Sequence, residues 1–275
     1  MLRPFLPQEA PMEIRMDGRV AVITGASTGL GLAMAREFAA SGASVAMLAR
    51  RQDVLDAAVA EVRALAAQGA RVDGHVCDVA RAEPIAAAWA RIAADFGHVD
   101  ILVNNAGVSA ARPFEDSSDA DWQADLDLKL FAAIRLSRLA LPGMRARRWG
   151  RIVNVLNTGA KAPAANSTPT SVSRAAGLAL TKALAQENAP HGVLVNAMLV
   201  GLIESDQWRR RHAAGAAGGD SYEAFLAGMA KGRVPLGRVG EAAEFARLAC
   251  FLCSDAGSFV TGTAINVDGG MCPVP

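Results

Sequence analysis

With 275 residues, 28 basic against 27 acidic side chains and a net charge of +1, the chain suits one α/β domain or two small ones. Near-neutrality leaves no field for holding a polyanion, so nucleic acid is excluded as an expected partner. Apolar runs such as 20–23 and 101–103 are strand-sized and far too short to span a bilayer, so no membrane association is expected and the expected location is the cytoplasm.

Residues 1–15 contain no continuous apolar core of signal-peptide length and read as a loose N-terminal extension, with Met12 or Met16 as alternative starts. The domain then occupies 16–275. Its first strand, 20–23, runs into Thr24-Gly25-Ala26-Ser27-Thr28-Gly29-Leu30-Gly31 and directly into a helix over 30–41. Glycines here let the backbone turn sharply and let a pyrophosphate approach the helix N-terminus, where free N–H groups and the helix dipole favour negative charge. The expected contacts are Gly25, Ser27, Thr28, Gly29, Leu30 and Gly31.

A second strand, 44–48, ends at Leu48-Ala49-Arg50-Arg51. A carboxylate near this point would hold the adenosine ribose diol, whereas arginine accommodates a 2′-phosphate. Arg50 and Arg51 therefore point to NADP(H) over NAD(H); the alternative is that they simply begin a solvated helix. Helical periodicity follows over 53–68, 83–96 and 173–188, and strands over 72–77, 101–103, 151–156, 193–198 and 264–267. Continuous apolar strands separated by helices predict a parallel sheet covered on both faces, with right-handed crossovers. No Pro/Gly/Ser linker divides the chain. The stretch 203–233, with Trp208-Arg209-Arg210-Arg211-His212 followed by a Gly-rich turn, reads either as a mobile lid or as a solvated surface helix. Cys250 and Cys253 form C-x-x-C inside an apolar run, better read as a buried helix face than as a metal or redox site, and the four histidines show no metal spacing.

These motifs, with Cys77-Asp78-Val79, Asn104-Asn105-Ala106-Gly107, Pro235-Leu236-Gly237-Arg238 and Val267-Asp268-Gly269-Gly270, resemble the short-chain dehydrogenase/reductase family in order and spacing over nearly the whole chain. The resemblance implies a single Rossmann-type, doubly wound parallel sheet of about seven strands, a small-molecule substrate, and assembly as a homodimer or homotetramer. It also implies that Asp78 and Val79 flank the adenine and that Asn105, Ala106 and Gly107 lie along the cofactor ribose. Gly201 and Ile203 would border the nicotinamide.

The catalytic positions depart from that family. There, a tyrosine and a lysine four residues later share a helix, a serine stabilises the substrate oxygen and an asparagine supports a water. Here Thr170 stands at the tyrosine position, Arg174 at the lysine, Asn157 at the serine and Lys129 at the asparagine. The chain's one tyrosine, Tyr222, lies elsewhere. A threonine hydroxyl is a far poorer acid than a phenol of pKa about 10, and arginine stays charged rather than titrating usefully. Arg174 would hold a ribose or an anion. Asn157 retains an amide donor for a carbonyl oxygen, and Lys129, once buried, becomes a candidate acid–base group. Lys161 is a second amine in reach by sequence, and Val108, Ser109, Leu202, Ile203 and Trp208 are pocket-lining candidates.

Three readings follow: an NADP(H)-dependent oxidoreductase acting on a carbonyl or alcohol without a tyrosine; a lyase, isomerase or decarboxylase on the same scaffold; and a catalytically silent NADP(H)-binding protein. The bland readings stand beside them: Thr170 as a small residue filling the space of a ring, Lys129 as a solvated helix residue, and Ser171 and Ser173 as local helix-start hydrogen bonders.

Overall fold

The computed structural model describes residues 14–216 and 219–275, so most of the 1–15 extension lies outside the described residues. Elements alternate in chain order: β1 (Val20–Thr24), α1 (Gly29–Ala40), β2 (Ser44–Ala49), α2 (Gln52–Leu65), β3 (Val72–Val76), α3 (Ala82–Phe96) and β4 (Ile101–Asn104). A second run adds α4 (Asp119–Leu126), α5 (Ala132–Arg147), β5 (Gly150–Asn157), α6 (Thr170–Asn188) and β6 (Val193–Val200). The chain closes with α7 (Asp206–Arg211), α8 (Tyr222–Ala230), α9 (Ala242–Cys253) and β7 (Ala264–Val267). None of the described helices is long and apolar enough to cross a membrane.

All seven strands are parallel, in the order β3-β2-β1-β4-β5-β6-β7. The expected doubly wound sheet is therefore present. Continuous apolar strands arise because both faces are covered. Along β1, Ala21 and Ile23 pack with Met34 and Phe38 of α1 and Phe245 of α9, while Val22 packs the other way with Ile85 and Ile92 of α3 and Leu136 of α5. The order reverses between β1 and β4, which opens a crevice at the carboxyl ends of the strands, the usual ligand position in such sheets.

Element ends differ from the sequence expectation by a few residues. α2 stops at Leu65 rather than 68, because Ala66 turns extended (ψ 136°) and Gly69 takes a left-handed turn (φ 87°). α6 begins at Thr170, three residues early, so that Thr170 and Arg174 both lie on it. Between α4 and α5, residues Asp127–Phe131 form a π-helical turn. Such one-residue widenings shift helical register and often accompany functional positions. Cys250 and Cys253 are buried on α9, the core reading of the C-x-x-C pair.

The loop from β1 to α1 depends on glycine at defined points. Gly25 and Gly29 have φ of +63° and +56°, values that side chains rarely adopt. At Gly31, a Cβ would collide with the Gly25 carbonyl oxygen and the Asn105 amide, and backbone must move to admit it. Gly31→Ala is therefore expected to destabilise the fold by about 1–3 kcal/mol and to loosen the loop; a calorimetric melt with an unchanged Tm would contradict this account of the turn.

Candidate active site

The crevice is lined first by the glycine loop. Helix α1 starts at Thr28 with no side-chain cap and no acidic residue in its first turn, so its N-terminal N–H groups are left for an external anion. Asn105 braces the loop from the end of β4: its Nδ2 donates to the carbonyls of Thr24 (2.9 Å) and Gly25 (3.3 Å). Thr24 Oγ1 returns the link by accepting from the backbone N–H of Asn105 and of Ala106, both at 2.9 Å. Asn105 thus holds the cradle's shape through its side chain. Arg50 and Arg51 sit exposed at the end of β2, next to the loop that the Ala26 N–H ties to the Leu48 carbonyl (3.1 Å). Neither has a carboxylate partner among the described residues, as a pair awaiting a phosphate requires. Asp78 caps its own turn through Ala80 N–H (3.1 Å), and Val79 is buried beside it.

The four positions that depart from the family pattern lie on three elements: the π-helical turn, β5 and α6. Lys129, on the π-helical turn, is buried, and its ammonium donates to Asp125 Oδ1 in a very short contact and to Thr170 Oγ1 at 2.9 Å. Thr170 Oγ1 also accepts the Ala110 backbone N–H at 2.9 Å. Ser173 Oγ lies 2.6 Å from Asp125 Oδ2 and 3.0 Å from the Thr170 carbonyl. Four residues thus close a ring: Asp125, Lys129, Thr170, Ser173. Burial pushes the Lys129 amine down to about 8; its hydrogen bond to Asp125 opposes the shift, and the like charge of Arg174 adds to it.

Arg174 extends from α6 to donate to the Val155 carbonyl at 2.7 Å, and its guanidinium lies against Gly107, where a side chain would clash with Nη2. Burial draws its pKa down to about 10, which leaves it charged at neutral pH. Among the described residues its Nε has no partner, and neither does the buried Oδ1 of Asn157 at the end of β5. One orphan donor and one orphan acceptor therefore remain at the carboxyl end of β5, and unpaired buried polar atoms of this kind are costly unless a ligand answers them.

Other candidates are drawn elsewhere. Lys161 donates to the Ala264 carbonyl (2.8 Å), Asn266 Oδ1 (2.9 Å) and the backbone oxygen of Pro275 (2.8 Å), which ties its amine to β7 and the end of the chain. Trp208 anchors α7 by donating to the Ile203 carbonyl at 3.0 Å. Ile203 is buried, and Gly201 lies so close to Asp268 that no Cβ fits there. His212 meets Tyr222 edge-on (centroids 5.3 Å apart) and Phe225 at a tilt (5.6 Å), so the chain's one tyrosine belongs to the 203–233 segment and not to the ring around Lys129. Sequence reasoning missed Asp125 and its bond from Ser173; the local helix-start bond expected of Ser173 is present, to the Thr170 carbonyl. The only signal was the i, i+4 spacing of Asp125 and Lys129, which ordinarily marks a solvated pair.

The sheet order, the glycine loop at its switch point and the basic end of β2 define a dinucleotide-binding α/β protein. A family model described as Enoyl-(Acyl carrier protein) reductase matches residues 25–272. The 3-oxoacyl-(acyl-carrier-protein) reductase FabG of Pseudomonas aeruginosa is 34% identical over 256 residues, covering 93% of this chain and 98% of the relative. Among solved structures, L-sorbose reductase from Gluconobacter frateurii, complexed with NADPH and L-sorbose, superposes with a TM-score of 0.91 at 34% identity, covering 96% of this chain and 100% of the other. An NADPH-bound short-chain oxidoreductase from P. aeruginosa PAO1, described as containing an atypical catalytic center, superposes at 0.88 with 37% identity over 95% of this chain and 99% of the other. The chain belongs to the short-chain dehydrogenase/reductase family.

Two exposed arginines beside a phosphate loop make a specific expectation. Replacing both in Arg50→Ala/Arg51→Ala should weaken NADPH binding by about 10–100-fold, the loss of one or two charge-assisted hydrogen bonds, and leave NADH binding within about twofold. Calorimetric titration of both cofactors checks it; equal losses for the two would remove the arginines from 2′-phosphate recognition.

Proposed function

We propose that the protein is an NADPH-dependent reductase of a small-molecule carbonyl, reversible as an alcohol dehydrogenase, whose acid is divided between Lys129 and Thr170. The observation that carries this reading is the double donation to Thr170 Oγ1, from Lys129 Nζ and from Ala110 N–H, each at 2.9 Å. With both lone pairs engaged, the hydroxyl's own proton is the group left to donate.

Gly25, Ser27, Thr28, Gly29, Leu30 and Gly31 would hold the pyrophosphate, Arg50 and Arg51 the 2′-phosphate, and Arg174 the ribose through its unpartnered Nε. The reduced nicotinamide, when bound, supplies a hydride to the carbonyl carbon. This chain's residues handle the oxygen. Asn157 donates an amide N–H to the carbonyl oxygen, and Thr170 gives it the hydroxyl proton while Lys129 passes a proton to Thr170 Oγ1. The Thr170 O–H bond is broken and remade, and Lys129 is left neutral until it regains a proton. A threonine alone is too weak an acid for this step; an ammonium poised at about 8 is not.

The engaged amines argue against the non-redox alternative. Amine catalysis needs a free nitrogen, yet Lys161 spends three donors on three acceptors, and the Lys129 side chain is 1% exposed beside Asp125 and Thr170. A homodimer or homotetramer and a cytoplasmic location belong to this reading on family likeness alone.

The pH behaviour has a definite sign. Reduction needs charged Lys129 and falls as pH rises through about 8, while alcohol oxidation needs the neutral amine and rises through the same point. Lys129→Met and Thr170→Val should each lower kcat for ketone reduction by about 100-fold or more, with NADPH affinity held within about threefold. A panel of β-ketoesters, ketoses and aromatic ketones supplies the assay. Turnover of none by the unmodified protein would favour a silent NADPH-binding protein, and full activity in both variants would break the Lys129–Thr170 route.

A further inference from the structure

We propose that Asp125 is a positioning residue for the proton transfer: held by Ser173, it fixes the Lys129 ammonium against Thr170. This rests on the reductase reading above but makes its own claim about the chain. The geometry is a closed ring spanning α4, the π-helical turn and α6. One carboxylate oxygen takes Lys129 Nζ, and the other lies 2.6 Å from Ser173 Oγ, whose residue follows Thr170 by three positions on α6. Lysine otherwise carries its charge on a flexible four-carbon stem. Asp125 removes that freedom at the atom that must face Thr170.

Stability alone gives a poor reason for such a pair. The Asp125 and Lys129 side chains are 2% and 1% exposed, and two apolar residues in place of a buried ion pair are often neutral or stabilising. An i, i+4 pair normally lies in water. The π-helical turn brings this one inward, next to Arg174, a like charge that disfavours the ammonium.

The charged groups facing Lys129 are few. Asp125 approaches from α4 and Arg174 from α6; Thr170 and Ser173 present hydroxyls from α6, and Ala110 an N–H bonded to Thr170. Asp127, on the same turn, is engaged with Arg135 at 3.0 Å. Asp125 is therefore the carboxylate that sustains the charged form. Without it, burial and Arg174 act together, and Lys129 loses its proton within the working pH range.

The chain has four lysines, Lys129, Lys161, Lys182 and Lys231, so Lys129 can be followed directly by the NMR shift of its ¹³C-labelled Cε, assigned by its loss in Lys129→Met. In the unmodified protein its transition should fall near 8. In Asp125→Asn it should move down by about one unit or more, equivalent to a tenfold change in the protonation equilibrium. Ketone reduction with NADPH should then lose activity at correspondingly lower pH, with kcat reduced and KM for NADPH little changed.

Asp125→Glu, which keeps the charge, should return the Cε transition towards its original position. Ser173→Ala, which keeps Asp125 but frees one oxygen, should lower kcat by about threefold to tenfold, the loss of one hydrogen bond to a charged group. These two variants carry the test if Asp125→Asn fails to unfold cooperatively. A Lys129 transition indifferent to Asp125→Asn, an Asp125→Glu variant whose transition stays as low as that of Asp125→Asn, or a Ser173→Ala variant with unchanged kcat would overturn the positioning role. Absence of any ketone turnover by the unmodified protein would instead sink the reductase reading.

Discussion

A lysine ammonium taken out of water must be paired or must give up its charge, and the cluster around Lys129 is organised by that choice. Lys129 meets Asp125 on one side and Thr170 on the other, with Arg174 close enough to oppose its charge. Desolvation of an ion costs several kcal/mol even after relaxation, so each partner must stay fixed. That requirement links elements far apart in sequence. The capping box of Ser118 and Asp121 starts α4 so that Asp125 falls inside its last turn. The π-helical turn carries Lys129 inward, and the early start of α6 at Thr170 brings the hydroxyl and Ser173 to meet them. Loosening any one would leave a buried charge without its answer.

The two halves of the site were unequally legible in the sequence. The cofactor half is written locally: a strand, a glycine-rich turn and a helix are contiguous, and each glycine's reason lies within a few residues. Gly31 excludes a Cβ because the Gly25 carbonyl is six residues away in sequence and in direct contact. Continuous apolar strands likewise declare a sheet buried on both faces. The catalytic half is written across distance. Thr170 and Arg174 were visible as departures from an expected pattern, yet what they do depends on Asp125, about 45 residues upstream. Nothing in Asp-Leu-Asp-Leu-Lys distinguishes a buried pair from a solvated one until the helical register is known, and a widened turn sets that register. Lys161 shows the reverse error. Closeness in sequence to Asn157 suggested a second amine in the site, whereas the amine reaches β7.

The scaffold and the chemistry are therefore separable here. The parallel sheet, the switch-point crevice and the Asn105 brace form a cradle whose shape does not depend on the identity of residues 129, 157, 170 and 174. Fold alone does not fix reaction, and four replacements at once would ordinarily suggest a lost function. What speaks for a rebuilt function is that two of the four replacements, Lys129 and Thr170, bond each other and enlist Asp125 and Ser173. Thr170 has two donors, Lys129 two acceptors and Asp125 two donors, in a ring with no loose polar end. A buried polar network satisfied in this way is rigid, whereas a half-satisfied one is costly.

Two unpaired atoms lie on replaced residues outside the ring. Arg174 Nε lacks an acceptor and Asn157 Oδ1 lacks a donor, and both sit by the carboxyl end of β5 where the crevice opens. The charge balance of the neighbourhood points the same way. With Lys129 protonated, Lys129 and Arg174 together outweigh Asp125 by one positive charge. Negative charge developing on a substrate oxygen would be met by that surplus without reorganisation of solvent, the condition under which fixed dipoles and charges contribute most to a reaction. Arginine at position 174 suits this arrangement better than a lysine would. Two buried lysines side by side would each depress the other's charged form, whereas arginine holds its charge at neutral pH.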